Sequence, residues 1–131
     1  MSNRAYQNIV SSDEKYQIGV DFDGVIHSNS LGFHDGTIYD EPIEGSRTAL
    51  EKLSKSYKII IFTCKAKPDR VLVEGKTGTD LIWDWLRKHE MDQFVHSVTS
   101  EKPRAAFYID DKAFRFTSWS NFFNQLALQE A

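Results

Sequence analysis

Disulfide bonding within the chain is excluded at once, because its 131 residues hold a single cysteine, Cys64. That scarcity fits a reducing setting, and the cytoplasm is the expected location. His89 and His96 stand at no metal-ligand spacing from Cys64, which excludes a zinc site. No apolar run approaches the length of a membrane span, and the first residues lack the apolar core of a signal peptide, so no membrane partner is expected. Neither sign of charge dominates. With 16 Lys and Arg against 19 Asp and Glu, the net charge of -3 argues against bulk affinity for nucleic acid, though not against a local basic patch. No repeat and no low-complexity tract is present, and the length suits one globular domain.

What the chain does have is a set of short apolar runs that stop at polar residues. Ile18-Gly19-Val20 runs into Asp21-Phe22-Asp23-Gly24, two carboxylates at the end of an expected strand with a glycine directly after. Like charges that close repel each other, and buried carboxylates are costly without a cation or a proton. Glycine lets the chain turn sharply and bring its backbone near a ligand. An ordinary Asp-Gly turn is the plainer reading of these residues alone. Lys58-Ile59-Ile60-Ile61-Phe62 ends in Thr63, and Ala105-Ala106-Phe107-Tyr108-Ile109 ends in Asp110 and Asp111. Continuous rather than alternating runs of this length are expected of strands buried on both faces of a parallel sheet.

Coarse elements follow from the same patterns. Residues 1–16 read as a loose polar arm or a short outer helix, and residues 17–131 as the folded domain. Strands are expected at 17–22, at 58–62, at 94–98 and at 105–109. Helices are expected at 46–56, from a cap at Thr79 or Asp80 to His89, and at 119–128, the last amphipathic through Phe122, Phe123, Leu126 and Leu128. Strands alternating with helices predict an α/β fold, a Rossmann-like three-layer α/β/α sandwich on a mostly parallel sheet. Ligands of such sheets bind at the carboxyl ends of the strands, where Asp21, Asp23, Thr63, Asp110 and Asp111 all fall. One pocket is expected to collect them.

This ordered set, Asp21-Phe22-Asp23, then Thr63, then Lys102 followed by Pro103, then Asp110-Asp111, resembles the motif series of the haloacid dehalogenase superfamily of phosphotransferases over roughly residues 17–116. Two departures are visible. Ile-Asp-Asp stands where many members have Gly-Asp, and Lys102 lies close to Asp110, with no room for a helix between them. The resemblance implies a Mg²⁺-dependent phosphatase with Asp21 as nucleophile, forming an aspartyl-phosphate, and Asp23 as general acid and then base. It assigns the phosphoryl group to Thr63, Cys64 and Lys102, and the metal to Asp21, Asp23 (through its backbone carbonyl), Asp110 and Asp111. The gaps between motifs leave space for loops or a small flap at residues 27–45 but not for a large cap domain. Such an open site implies a bulky phosphorylated substrate, a small molecule or a nucleic-acid end, or closure by a second copy of the chain; a monomer and a self-capping homo-oligomer both remain open.

The residues themselves support part of this independently. Two carboxylates in one site are expected to have their pKa values pushed apart, one ionised and one protonated. Mg²⁺ prefers hard oxygen ligands and uses few carboxylates beside substrate phosphate. Lys65, Lys67, Arg70 and Lys76 make a basic loop after Thr63, either a substrate contact or a solvated charge run. His27, Asn29 and His34 follow the first motif and are candidates to touch a leaving group, or ordinary loop residues. Cys64 has no base beside it in sequence and reads as a small strand-end residue rather than a nucleophile. Two other classes use similar residues. A phospho-accepting signalling domain carries its acidic pair on the first strand and its acceptor later, the reverse of the order here. A non-catalytic phosphate- or metal-binding domain on the same fold is the second.

Overall fold

The structure is a computed structural model, and residues 14–113 and 115–130 are described. Nearly all of the expected 1–16 arm lies outside the described residues. The two isoleucine-rich runs form the centre of the sheet. β1 (Gln17–Asp21) pairs in parallel with β2 (Lys58–Phe62), setting Ile18 beside Ile59 and Val20 beside Ile61. β3 (Ser97–Thr99) joins the far edge of β2, and β4 (Tyr108–Ile109) joins β1, giving a parallel sheet in the order β3-β2-β1-β4.

Register decides which side chains meet. Ile18, Val20, Ile59 and Ile61 share one face and are all buried. Onto that face α1 (Ser46–Ser54) lays Leu50, and α2 (Gly78–Lys88) lays Ile82, Trp85 and Leu86, with Met91 and Val95 completing the core. Both helices connect neighbouring parallel strands and step the same way along the sheet, so right-handed crossovers put them on the same side. Removing one such buried aliphatic side chain from water is worth about 1.5–3 kcal/mol.

The opposite face is different. It carries Gly19, Ile60, Phe62 and Tyr108, and a Cβ added at Gly19 would stand 2.7 Å from the Tyr108 ring. The Lys102 ammonium lies over Tyr108 at 4.2 Å and over Phe62 at 5.8 Å. Phe107 and Tyr108 are exposed. The expected three-layer sandwich is thus met as an α/β fold with a parallel sheet and one helical layer. α3 (Trp119–Glu130) begins where the sequence places it, but only Phe122 and Leu126 of its apolar residues are half-buried while Phe123 and Leu128 are exposed. Residues four apart share a helix face, and residue 123 lies a step around from 122.

Three boundaries move for local reasons. α2 starts earlier than expected because Thr77, not Thr79 or Asp80, is its cap. The Thr77 hydroxyl accepts the Asp80 N–H at 3.1 Å and the Asp80 carboxylate accepts the Thr77 N–H at 3.2 Å, a reciprocal capping box. The third strand is displaced because Asp92–Phe94 closes a 3₁₀ turn, although the His96 N–H still donates to the Ile59 carbonyl at 2.8 Å. The fourth strand is shorter than 105–109, yet its approach is tied to β1: the Ala106 N–H donates to the Gln17 carbonyl and the Gly19 N–H to the Phe107 carbonyl.

Candidate active site

β1 ends at Asp21 beside β4, where the chain's connections diverge to opposite sides of the sheet. A crevice opens at such a point beyond the carboxyl ends of the strands. An open cleft of about 520 Å³ lies there, lined by Asp21, Asp23, Gly24, Ser28, Asn29, Thr63, Cys64, Asp110, Asp111 and Lys112. The acidic and hydroxyl residues at the ends of three strands are therefore gathered in one place. Lys112 is an addition that the strand-end argument passes over, because it lies two residues beyond the acidic pair; its backbone N–H donates to Asp110 Oδ1 at 2.9 Å.

The turn after β1 explains the local geometry. The Phe22 carbonyl accepts the N–H groups of Val25, Ile26 and His27, and the Gly24 N–H donates to the His27 carbonyl at 2.9 Å. This closed turn folds His27 back beside Asp23. Gly24 sits at φ +85°, and a Cβ there would run into the Asp111 carboxylate. Both the backbone conformation and the close approach require glycine. Gly24→Ala is expected to cost about 1–3 kcal/mol and to displace Asp111 from the cleft, read as a lowered melting temperature together with weakened divalent-cation binding.

Asp21, Asp110 and Asp111 each offer a carboxylate oxygen, and these oxygens lie within 4.8 Å of one another. Among the described residues no other group of His, Cys, Asp and Glu side chains forms such a cluster. Burial, and then the charges of Asp110, Asp111 and Asp23, push the Asp21 carboxyl up to about 6, against a smaller opposing hydrogen bond from the Phe22 N–H. Hard oxygen donors that repel one another in this way fit a divalent cation such as Mg²⁺.

Asp23 behaves in the opposite sense. Burial works to raise its pKa, but hydrogen bonds from His27 and Lys65 and the Lys65 charge outweigh it and hold the carboxyl below its ordinary value. Without a cation, then, the order of the two pKa values is the reverse of that expected for an Asp21 nucleophile and an Asp23 acid. The cause is the placement of positive charge. Lys65 Nζ donates to Asp23 Oδ1 at 2.9 Å and to Asn29 Oδ1 at 3.2 Å, with its side chain only 5 % exposed.

The basic loop is accordingly not one cluster. Lys65 is buried against Asp23, the Arg70 guanidinium stacks over the Phe33 ring at 4.5 Å, Lys76 pairs with Asp84 at 2.5 Å, and Lys67 is exposed. Of these four, none lines the cleft. Lys102 does not line it either; it shares a neighbouring hollow on the open sheet face with Asp110 and Tyr108. Among the described ion pairs, the lysine that touches a cleft carboxylate is thus Lys65, on Asp23, and not Lys102. Its sequence signal is slight, a lysine two residues after a strand-end threonine.

Thr63 is buried, and its backbone N–H is engaged by the Thr99 carbonyl at 3.0 Å, so only the hydroxyl is left to donate. That hydroxyl accepts the Lys65 N–H at 3.2 Å, which leaves its own proton free to face the cleft. Cys64 is exposed on the rim. His27 is fully buried; among the ring contacts described, it stacks on Phe22 and meets Tyr39 and Trp85 edge-on. It is not a surface contact for a substrate. No helix among the described residues is long and apolar enough to cross a membrane. Comparisons with protein-family models, with curated proteins and with solved structures found no match to this chain.

Proposed function

We propose that this chain is a Mg²⁺-dependent phosphatase that hydrolyses a phosphate monoester through a phosphoryl group carried on Asp21, as its resemblance to the haloacid dehalogenase superfamily implies. One observation carries the reading: Asp21, Asp23, Thr63, Asp110 and Asp111, from three strand ends far apart in sequence, line a single cleft. A divalent cation held by Asp21, Asp110 and Asp111 would offset their mutual repulsion, keep Asp21 ionised and take up charge on the phosphoryl oxygens.

The chain's own groups supply the remaining parts. A carboxylate oxygen of Asp21 attacks phosphorus as the bond to the ester oxygen breaks, and Asp23 gives that leaving oxygen its proton. A phosphate dianion beside Asp23 opposes the depression exerted by Lys65 and His27, so the carboxyl can carry a proton when substrate is present. Asp23 then takes a proton from water as the water oxygen attacks phosphorus and the bond to Asp21 breaks. The Thr63 hydroxyl donates to a phosphoryl oxygen. Among the described residues little covers the cleft, which favours a substrate with a large leaving group: a nucleotide, a polynucleotide end or a sugar phosphate.

A panel of phosphorylated metabolites and of 5′- and 3′-phosphorylated oligonucleotides, assayed with and without Mg²⁺, tests the reading. Release of inorganic phosphate that needs Mg²⁺ is expected for at least one class. A stable phosphorylated protein without turnover would instead favour a phospho-accepting signalling domain.

A further inference from the structure

Asp23 receives both of its side-chain donors on the same oxygen. His27 Nδ1 lies 2.9 Å from Asp23 Oδ1, and Lys65 Nζ lies 2.9 Å from that oxygen too. The other carboxylate oxygen, Oδ2, has no side-chain donor among the described hydrogen bonds, and Asp23 lines the cleft. We propose that His27 and Lys65 are positioning residues that clamp Oδ1 of Asp23 and so reserve Oδ2 as the atom that exchanges a proton with the leaving group and the attacking water. The inference rests on the reading of Asp23 as the acid–base group.

The tautomer of His27 is set by its second nitrogen. Nε2 accepts the backbone N–H of Asp40 at 3.0 Å, and a backbone N–H can only donate. The lone pair is therefore on Nε2, and in the neutral ring the hydrogen is on Nδ1, pointing at Asp23. Phe22, Tyr39 and Trp85 hold the ring, and the Trp85 indole N–H donates to the Asp40 carbonyl at 2.9 Å, fixing the same stretch of flap.

Lys65 is held as firmly. Its backbone N–H donates to Thr63 Oγ1 within the Cys64–Ala66 turn. Gly78 at the start of α2 packs so closely on this turn that an added Cβ would overlap the Lys65 carbonyl. Its ammonium also reaches Asn29, which lines the cleft, so the flap and the acid–base group share one cation. With two donors fixed on Oδ1, a proton carried by Asp23 resides on Oδ2. In the first step it passes from Oδ2 to the ester oxygen as the phosphorus–oxygen bond breaks and the Asp21 bond forms. In the second a proton of water returns to Oδ2 as the water oxygen displaces Asp21.

The test compares an ester that needs its proton with one that does not. Wild type, His27→Gln, His27→Asn and Lys65→Met are assayed with Mg²⁺ on p-nitrophenyl phosphate and on an alkyl phosphate. Lost positioning of the acid is expected to lower kcat/KM for the alkyl ester by about 10²-fold, and for the nitrophenyl ester by less than about 10-fold. Asparagine can place an N–H near the position of Nδ1 and glutamine cannot, so His27→Asn is expected to retain more alkyl-ester activity than His27→Gln. Equal losses on both esters, or no loss, would overturn the proposal. Independently of activity, ¹⁵N NMR of the wild-type chain is expected to show His27 as the Nδ1–H tautomer; an Nε2–H signature overturns the clamp even if the variants fail to fold. A wild-type chain that cleaves neither ester overturns the phosphatase reading and the proton transfer built on it, while the NMR result still decides the clamp.

Discussion

Asp21→Asn is expected to abolish turnover, by about 10⁴-fold or more, while making the metal-free fold more stable at neutral pH. The two effects have one cause. Asp21 is placed where burial and the Asp110 and Asp111 carboxylates oppose its ionisation, so its pKa rises from 3.8 to about 6. For a carboxyl raised on folding, no cost exists below the unfolded value, where both states are protonated. The cost grows as pH climbs from about 4 to about 6 and is complete above that. The full linkage value of about 3 kcal/mol falls to about 1 kcal/mol for a half-exposed group screened by solvent.

Asparagine removes the charge and with it this penalty. Denaturant unfolding without divalent cations should therefore show no difference between variant and wild type near pH 4 and an advantage of about 1 kcal/mol to the variant at pH 7. Asp23 contributes in the other direction, stabilising the fold above its unfolded pKa and losing that contribution as pH falls. A variant both inactive and less stable at pH 7 would mean that Asp21 supports the scaffold rather than a site.

Asp110→Asn is expected to remove the response to Mg²⁺. A ligand that binds only the folded state at a hundredfold excess over its Kd stabilises by about 2.7 kcal/mol, and Asp110 is one of three carboxylates able to hold that ion. Thermal unfolding of the wild-type chain at pH 7 should shift upward by several degrees as Mg²⁺ is added, and that of the variant should not. Phosphate release should fall by about 10²–10³-fold in the variant, the scale of losing one electrostatic contact in a transition state. Equal Mg²⁺ shifts in both proteins would place the ion elsewhere. The Asp110 backbone follows β4 directly, so the substitution leaves the sheet register of Gly19 with Tyr108 untouched.

Much of this arrangement is legible in the sequence because it is local. Ile18 to Val20 and Ile59 to Ile61 are short continuous apolar runs, and each stops at a polar residue that the sheet then places at its carboxyl edge. The strand ends, the acidic cluster and the parallel order follow from that pattern. The start of α2 does not, because Thr79 and Asp80 carry the same capping chemistry as Thr77, and only the reciprocal bonds between Thr77 and Asp80 decide among them.

What the sequence does not show depends on contacts between distant residues. Nothing near Lys65 announces a partner 42 residues earlier, and only the parallel pairing of β1 with β2 brings its turn beside Asp23. Lys102 is the more conspicuous lysine, before the last strand and followed by proline, yet its ammonium rests on the Tyr108 ring. The burial of His27 depends on Trp85 and Tyr39, which belong to α2 and the flap. The depressed pKa of Asp23 and the raised one of Asp21 follow from these long-range placements.

The central claim, that Asp21 carries the phosphoryl group, is tested most directly by trapping it. The chain is quenched in acid during turnover of its best substrate with Mg²⁺, reduced with borohydride, and digested for peptide mass spectrometry. An acyl phosphate on Asp21 is reduced to homoserine, so homoserine at position 21, and at none of Asp23, Asp110 or Asp111, is the expected result. Steady turnover with Asp21 recovered unmodified, or with the label on another aspartate, would contradict the account.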